Sequence, residues 1–98
     1  MLHLLPDSLT SSVDGDIKPG ACVNIPAREE VKTPIGACGV LGIRQKFADK
    51  RLTLGATLIP AKWSGHPNIQ LINHGEETIY LRKGDELVNV AYLQVFAG

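Results

Sequence analysis

The chain has 98 residues, 44% hydrophobic and 20% charged, which is enough for one compact core and too short for two domains. Ten basic and ten acidic side chains cancel to zero net charge, so no overall field attracts nucleic acid or an anionic membrane. No apolar stretch could span a membrane, and the first residues do not resemble a signal peptide. We therefore expect a cytoplasmic protein that binds neither nucleic acid nor a membrane.

Short β-prone runs follow one another along the chain, separated by turns rich in Gly, Pro and Asn. We predict strands at residues 21–26, 37–43, 51–59, 68–73, 77–82 and 86–96. Residues 1–16 are rich in Ser, Asp and Gly and are predicted to be an N-terminal arm or loose segment, followed by a single domain of residues 17–98. Only REEVK (28–32) and RQKFADKRL (44–52) could form helical turns. This rhythm is typical of an all-β barrel or sandwich.

Two of the predicted strands differ in what their faces can bury. In ETIYLR (77–82) every second residue is apolar, which predicts a half-buried strand with Ile79 and Leu81 facing inward. In LVNVAYLQVF (87–96) both faces are apolar, which is more than a small monomer easily covers. The last strand therefore predicts an oligomer.

The cysteines and histidines do not form a metal-binding pattern. Cys22 and Cys38 lie in apolar, Gly/Ala-rich surroundings and are predicted to be buried free thiols rather than a disulfide or zinc site. His3, His66 and His74 stand singly, outside any metal-binding motif. We predict no metal site.

Four short motifs occur in an order that resembles a known family. They are Lys18–Gly20 (KPG), Arg44–Ala48 (RQKFA), Ile59–Gly65 (IPAKWSG) and Gly84–Asn89 (GDELVN). Over residues 16–96 the chain resembles the dUTPase and dCTP deaminase superfamily. The resemblance implies a dUTPase-like all-β barrel or jelly roll of the β-clip type, with short turns, little helix and assembly into a threefold homotrimer.

The resemblance also implies which side chains would bind a ligand. Arg44 and Lys46 lie in the segment that matches the family's phosphate-binding motif, and Trp63 lies in the matching nucleoside hairpin. Gln70 follows on the next strand, and Asn89 matches the strand that completes a neighbouring subunit's site. We therefore expect these five residues to bind a deoxynucleotide, if any site remains.

The two positions where the family carries catalytic carboxylates are changed. Pro60 stands where the hairpin has the Asp that acts as general base in dUTP hydrolysis. Gln70 stands where a glutamate moves protons in dCTP deamination, and an amide is not a base near neutral pH. We predict no catalytic residue, and the sequence favours a protein that is not an enzyme.

The phosphate segment differs from the family pattern as well. Gln45 and Lys46 replace two serines and would crowd the pocket. Residues 44–51 carry four basic side chains against one acidic, which attracts a phosphate or an acidic protein surface unless the loop is only solvated. The chain stops at LQVFAG, so we expect no Gly-rich C-terminal lid.

The sequence thus predicts a non-catalytic homotrimeric dUTPase-like module acting in assembly, partner binding or nucleotide sequestration, without a cofactor. The alternative is a divergent deoxynucleoside triphosphate hydrolase or deaminase that takes its base from Asp85 or Glu86 of a neighbouring subunit. Mg²⁺ would be needed only in that case. Otherwise Glu76, Glu77, Asp85 and Glu86 are interpreted as turn residues that aid solubility.

Overall fold

The computed structural model describes residues 5–94, which form eleven β-strands and one helical turn. The strands are β1 (Ser8–Thr10), β2 (Gly15–Ile17), β3 (Cys22–Pro26), β4 (Val31–Lys32), β5 (Ala37–Ile43), β6 (Leu52–Leu54), β7 (Leu58–Ile59), β8 (Ser64–Gly65), β9 (Asn68–Asn73), β10 (Ile79–Leu81) and β11 (Glu86–Gln94). The helical turn, α1 (Gln45–Ala48), lies between β5 and β6. The predicted all-β fold with short turns and little helix is confirmed.

The strands pair antiparallel in four small sheets, with orders β1-β11-β5-β7, β3-β9-β6, β10-β2 and β4-β8. The longest ladder joins β11 to β5, from Val88 opposite Ile43 to Gln94 opposite Ala37. A register shift where β1 meets β11 leaves Leu87 as an extra residue. Such a bulge lets Leu87 and Val88 both be buried although they are consecutive.

The core is built from the inward positions of these strands. Residues with no or almost no exposed surface include Leu9, Ile17, Val31, Leu52, Ile69, Leu71, Leu87 and Val88. Phe47 anchors α1 to this core. On β10, Ile79 and Leu81 are buried while Tyr80 is 70% exposed, which confirms the predicted alternation.

Two sequence-based assignments of secondary structure are wrong. The predicted strand at 51–59 is interrupted at residues 55–57, where the chain leaves one sheet for another. The Gly55 N–H donates to the Gln70 carbonyl of β9 (2.9 Å), and the Thr57 carbonyl accepts from the Leu41 N–H of β5 (2.9 Å). The segment REEVK is not helical, because its last two residues form β4 and pair with β8. In both places long-range pairing overrides local propensity.

The N-terminal segment is not loose in the part that the structure describes. Both β1 and β2 pair with strands near the other end of the chain, and Leu9 is fully buried. The Tyr92 hydroxyl donates a hydrogen bond to the Pro6 carbonyl (2.6 Å). Burial, together with the nearby Asp7 carboxylate, raises the pKa of Tyr92 and keeps this donor protonated. The domain boundary at residue 16 stays a prediction.

The two cysteines are free, as predicted, but the prediction that they are buried is wrong. Cys22 is exposed on β3, and Cys38 is partly exposed on β5. Other expectations concern His3, Val95 and Phe96, which lie outside the described residues. Within residues 5–94 there is no helix long and apolar enough to cross a membrane.

One side of the β11-β5-β7 sheet is apolar and exposed. Directly opposed residues of antiparallel strands point to the same face, and Ala91 lies opposite Val40, Val40 opposite Leu58, and Leu93 opposite Cys38. Leu58 is 59% and Leu93 is 53% exposed. We call these five residues the outer face.

Candidate functional site

The segment that connects β7 to β8, which matches the family's nucleoside hairpin and is called the hairpin below, is held in place by one buried threonine. Thr33, which is 3% exposed, donates a hydrogen bond through its hydroxyl to the Pro60 carbonyl (2.7 Å) and accepts one from the Trp63 N–H (2.8 Å). Its own N–H donates to the Trp63 carbonyl (2.8 Å). Lys62 adopts a left-handed backbone (φ 62°), and its N–H donates to the Pro34 carbonyl (3.2 Å). The turn is therefore fixed by bonds that do not depend on the side chain at position 60.

A small cavity of about 120 Å³ lies beside this hairpin. Its walls are formed by Leu41, Ala56, Leu58, Ile59, Pro60, Trp63, Pro67 and Asn68. Not one of these residues has an ionisable side chain, and ligand pockets are typically about 300–1,000 Å³. Trp63 is half-buried, packs against the core and forms one wall.

Gln70 lies in the middle of β9, opposite Asn24 on β3. It shares a face of β9 with Asn68, which lines the cavity, because the strand alternates between buried and more exposed positions. A β-carbon on residue 55 would overlap the Gln70 side chain. Gly55 thus provides the space in which the Gln70 amide lies.

The predicted phosphate segment begins with a fixed arginine. The Arg44 N–H donates to the Leu87 carbonyl (3.0 Å), which ties the start of α1 to β11. The Arg44 guanidinium donates to the Asn89 side-chain oxygen (2.9 Å), and the same nitrogen lies 3.2 Å from a Glu86 carboxylate oxygen. The structure therefore brings together two of the five predicted site residues.

Other polar side chains of this segment also interact within the chain. The Lys46 ammonium lies 4.9 Å from the centre of the Phe47 ring, a cation–π contact. Gln45 donates to the Asp49 carboxylate (2.7 Å). Within residues 5–94, no hydrogen bond or ion pair joins Arg44 to Lys46, Trp63 or Gln70.

A larger cleft of about 450 Å³ lies where the end of α1 faces the β9–β10 turn. It is lined by Asp49, Lys50, Arg51, Gly75, Glu76, Glu77, Thr78 and Ile79. Arg51 adopts a left-handed backbone (φ 64°), and its carbonyl accepts a bond from the His74 N–H (2.9 Å). The basic residues at 50–51 thus share this cleft with carboxylates, which offset the local positive charge that the sequence predicts.

Two residues of these sites were missed or misread by sequence reasoning. Thr33 lies in no recognisable motif, and its role follows from its contacts with Pro60 and Trp63, which are about thirty positions away in the sequence. Glu86 was interpreted as a turn residue, whereas it pairs with Arg44; the neighbouring Asp85 does stabilise the turn, by accepting a bond from the Arg82 N–H (2.9 Å).

Comparison with known proteins gives the fold a name. No family model matches the chain. Among solved structures, it resembles the dUTPase of Staphylococcus bacteriophage 80alpha (TM-score 0.83, 16% identity, 93% of this chain and 77% of that one) and the EIAV dUTPase (TM-score 0.80, 19% identity, 90% and 73%). The chain has a dUTPase-like fold.

Curated relatives agree with this dUTPase-like fold. The chain is 28% identical over 97 residues to the deoxyuridine 5'-triphosphate nucleotidohydrolases of two strains of Desulfitobacterium hafniense, DCB-2 and Y51. The alignment covers 92% of this chain and spans 64% of the length of each relative. The family resemblance that the sequence motifs indicated is therefore confirmed.

The structural relatives also show what such folds can bind. A mutant of the 80alpha dUTPase was solved with dUpNHpp, and a mutant of the phage phi11 dUTPase coordinates a structural Mg(II) ion. Within residues 5–94 of this chain, no group of three or more His, Cys, Asp or Glu side chains could hold a metal ion.

Proposed function

We propose that the chain is a non-catalytic, homotrimeric dUTPase-like module that acts in assembly or partner binding, or that holds a nucleotide without turning it over. One observation carries this proposal: the cavity beside Trp63 has no ionisable side chain in its wall. Hydrolysis or deamination of a nucleotide needs a group that accepts a proton within hydrogen-bonding reach of the attacking water. The cavity beside the hairpin lacks that group.

The backbone around Pro60 does not replace the missing carboxylate. The Pro60 carbonyl accepts the Thr33 hydroxyl hydrogen bond, and the proline ring has neither a donor nor an acceptor. On the neighbouring strand the Gln70 amide can orient a water but cannot remove its proton. These features support a binding or structural role for the hairpin.

The outer face supports assembly. Its apolar residues lie in register on three adjacent strands, and Leu58 and Leu93 are each more than half exposed. Burying such a face against a second copy of the chain would remove this surface from water. We propose that the outer face contributes to the homotrimer interface, and that the exposed lysines 46 and 50 are available to an acidic partner surface.

A second candidate is a divergent deoxynucleoside triphosphate hydrolase or deaminase. The specific observation in its favour is the 28% identity with two dUTPases over 97 residues. Its base would have to come from a neighbouring subunit, as Asp85 or Glu86. Each of these carboxylates already has a partner, since Asp85 accepts the Arg82 N–H and Glu86 pairs with Arg44. Mg²⁺ would be required only for this candidate, and a cytoplasmic location stays a prediction for both.

Incubation with each deoxynucleoside triphosphate and Mg²⁺ tests the absence of catalysis. Loss of a general base removes about 10²- to 10⁴-fold in rate, so we expect no dUMP from dUTP and no dUTP from dCTP above a buffer control. A thermal-stability shift without product would identify a nucleotide-holding module. Robust Mg²⁺-dependent turnover by clean protein would establish the second candidate instead.

Light scattering of Leu93→Glu tests the assembly. We expect the unmodified chain to have three times the mass of one chain, and Leu93→Glu to be monomeric because a carboxylate cannot be buried in an apolar interface. Tyr80→Glu is a matched control, since Tyr80 is 70% exposed on another sheet, and should stay trimeric. A monomeric mass for the unmodified chain at micromolar concentration would refute the trimer.

A further inference from the structure

The Arg44 backbone is held by hydrogen bonds at both of its peptide groups. The backbone N–H of Arg44 donates to the Leu87 carbonyl (3.0 Å), and the backbone carbonyl of Arg44 accepts from the Phe47 and Ala48 N–H groups (3.0 Å each). Arg44 is thus anchored at the junction of β5, α1 and β11. Its side chain nevertheless keeps 41% of its surface exposed, so an external ligand can reach it.

Two residues of β11 bind this exposed guanidinium. A single terminal nitrogen lies 2.9 Å from the Asn89 side-chain oxygen and 3.2 Å from a Glu86 carboxylate oxygen. A carboxylate on a guanidinium uses the same N–H donors and the same geometry as a phosphate oxygen. The Glu86 side chain is 50% exposed, so it can move into solvent without crossing the core.

The next basic residue along the chain favours an anion at this position once Glu86 has moved away. Lys46 follows Arg44 by two residues and is exposed on α1, with its ammonium against the Phe47 ring, whereas Lys50 and Arg51 share their cleft with Asp49, Glu76 and Glu77. Within residues 5–94, Arg44–Glu86 is the one ion pair. The chain thus places a carboxylate on the first cation of its basic segment.

We propose that Glu86 is a built-in competitor that closes an oxyanion site at Arg44. In the unmodified chain a phosphate must displace the Glu86 carboxylate and then remain beside its negative charge, which weakens binding. The site takes phosphate oxyanions rather than neutral ligands, because a guanidinium fork recognises a negative charge and two acceptor oxygens together. This inference rests on the proposed function only in treating Arg44 as a binding residue rather than a catalytic one.

Titration calorimetry with inorganic pyrophosphate at low, fixed ionic strength tests the inference. Glu86→Gln keeps the size and an acceptor oxygen but removes the charge, and we expect it to bind pyrophosphate about ten-fold more tightly than the unmodified chain. Glu30→Gln is the matched control, since it removes one exposed carboxylate before β4 and should bind like the unmodified chain. Adding Arg44→Ala to Glu86→Gln should abolish the gain.

The outcomes separate cleanly. Equal affinity of Glu86→Gln and the unmodified chain would overturn the inference, and so would a gain that survives Arg44→Ala or that appears equally in Glu30→Gln. Glu86→Ala also removes the charge, and it should bind pyrophosphate more tightly in the same way if its thermal transition is unchanged. This variant excludes an effect of the glutamine side chain itself. Because pyrophosphate carries no nucleoside, turnover of dUTP would overturn the proposed function without deciding this result.

Discussion

The hairpin around Pro60 and the basic segment that starts at Arg44 are held in different ways. In the hairpin the backbone is bonded to Thr33, and the side chain at position 60 is a proline without a donor or an acceptor. In the basic segment the Arg44 side chain contacts Glu86 and Asn89 of the same chain. The fold is maintained by backbone bonds and buried apolar residues, so a change of side chain at either place leaves it intact.

The strongest way to test the hairpin as architecture is Trp63→Ala. Trp63 is half-buried and packs against the core, so we expect a loss of about 3 kcal/mol in the free energy of unfolding, the lower end of values for large aromatic truncations. Urea denaturation measures this loss. Trp63→Phe is the control and should lose clearly less. A change below about 1 kcal/mol for the alanine variant would mean that the indole is not part of the scaffold.

The second test removes only the Thr33 hydroxyl. Thr33→Val keeps the shape and leaves the Pro60 carbonyl and the Trp63 N–H without their buried partner. We expect a loss of about 2 kcal/mol, since an unsatisfied buried polar group costs about 1–3 kcal/mol. Thr33→Ser keeps the hydroxyl and should be the milder variant in the same urea experiment. If serine were the more damaging substitution, packing of the methyl group would hold the hairpin, and not the hydrogen bonds.

The smallest effect is expected in the basic segment. Arg44 and Glu86 are both about half exposed, and surface ion pairs contribute roughly 0–1 kcal/mol. Arg44→Ala should therefore change the free energy of unfolding by less than about 1 kcal/mol, with Lys50→Ala as an exposed control. A loss comparable to that of Trp63→Ala would show that Arg44 is structural, and the contrast between the two regions would fail.

The sequence predicts the strands best where their own residues decide the structure. The predicted bounds of the strands at 37–43 and 68–73 agree with those in the structure. Each of these strands lies between two partner strands, and its apolar residues pack along its whole length. The run at 51–59 fails at Gly55, where the chain leaves one sheet for another and only the partner strands reveal it. Val31 and Lys32 likewise form a strand because Ser64 and Gly65 lie beside them.

The candidate site was predictable in part for a similar reason. Arg44 and Asn89 lie in motifs with a recognisable order, and the structure brings them into contact. Thr33 and Glu86 act through contacts about 30 and 40 positions away, which local composition does not encode. The proline at position 60 was visible in the sequence, whereas the contact of Arg44 with Glu86 required the structure.

In the assembly or partner-binding form of the proposed function the hairpin binds no nucleoside, and the emission of Trp63 tests this claim most directly. Trp63 is the only tryptophan of the chain and lines the cavity beside the hairpin. A base that stacks on the indole changes its fluorescence. We expect emission to remain unchanged when dUTP, dCTP and the other deoxynucleoside triphosphates are titrated. Saturable quenching by one of them would contradict the claim and establish the hairpin as a nucleotide site.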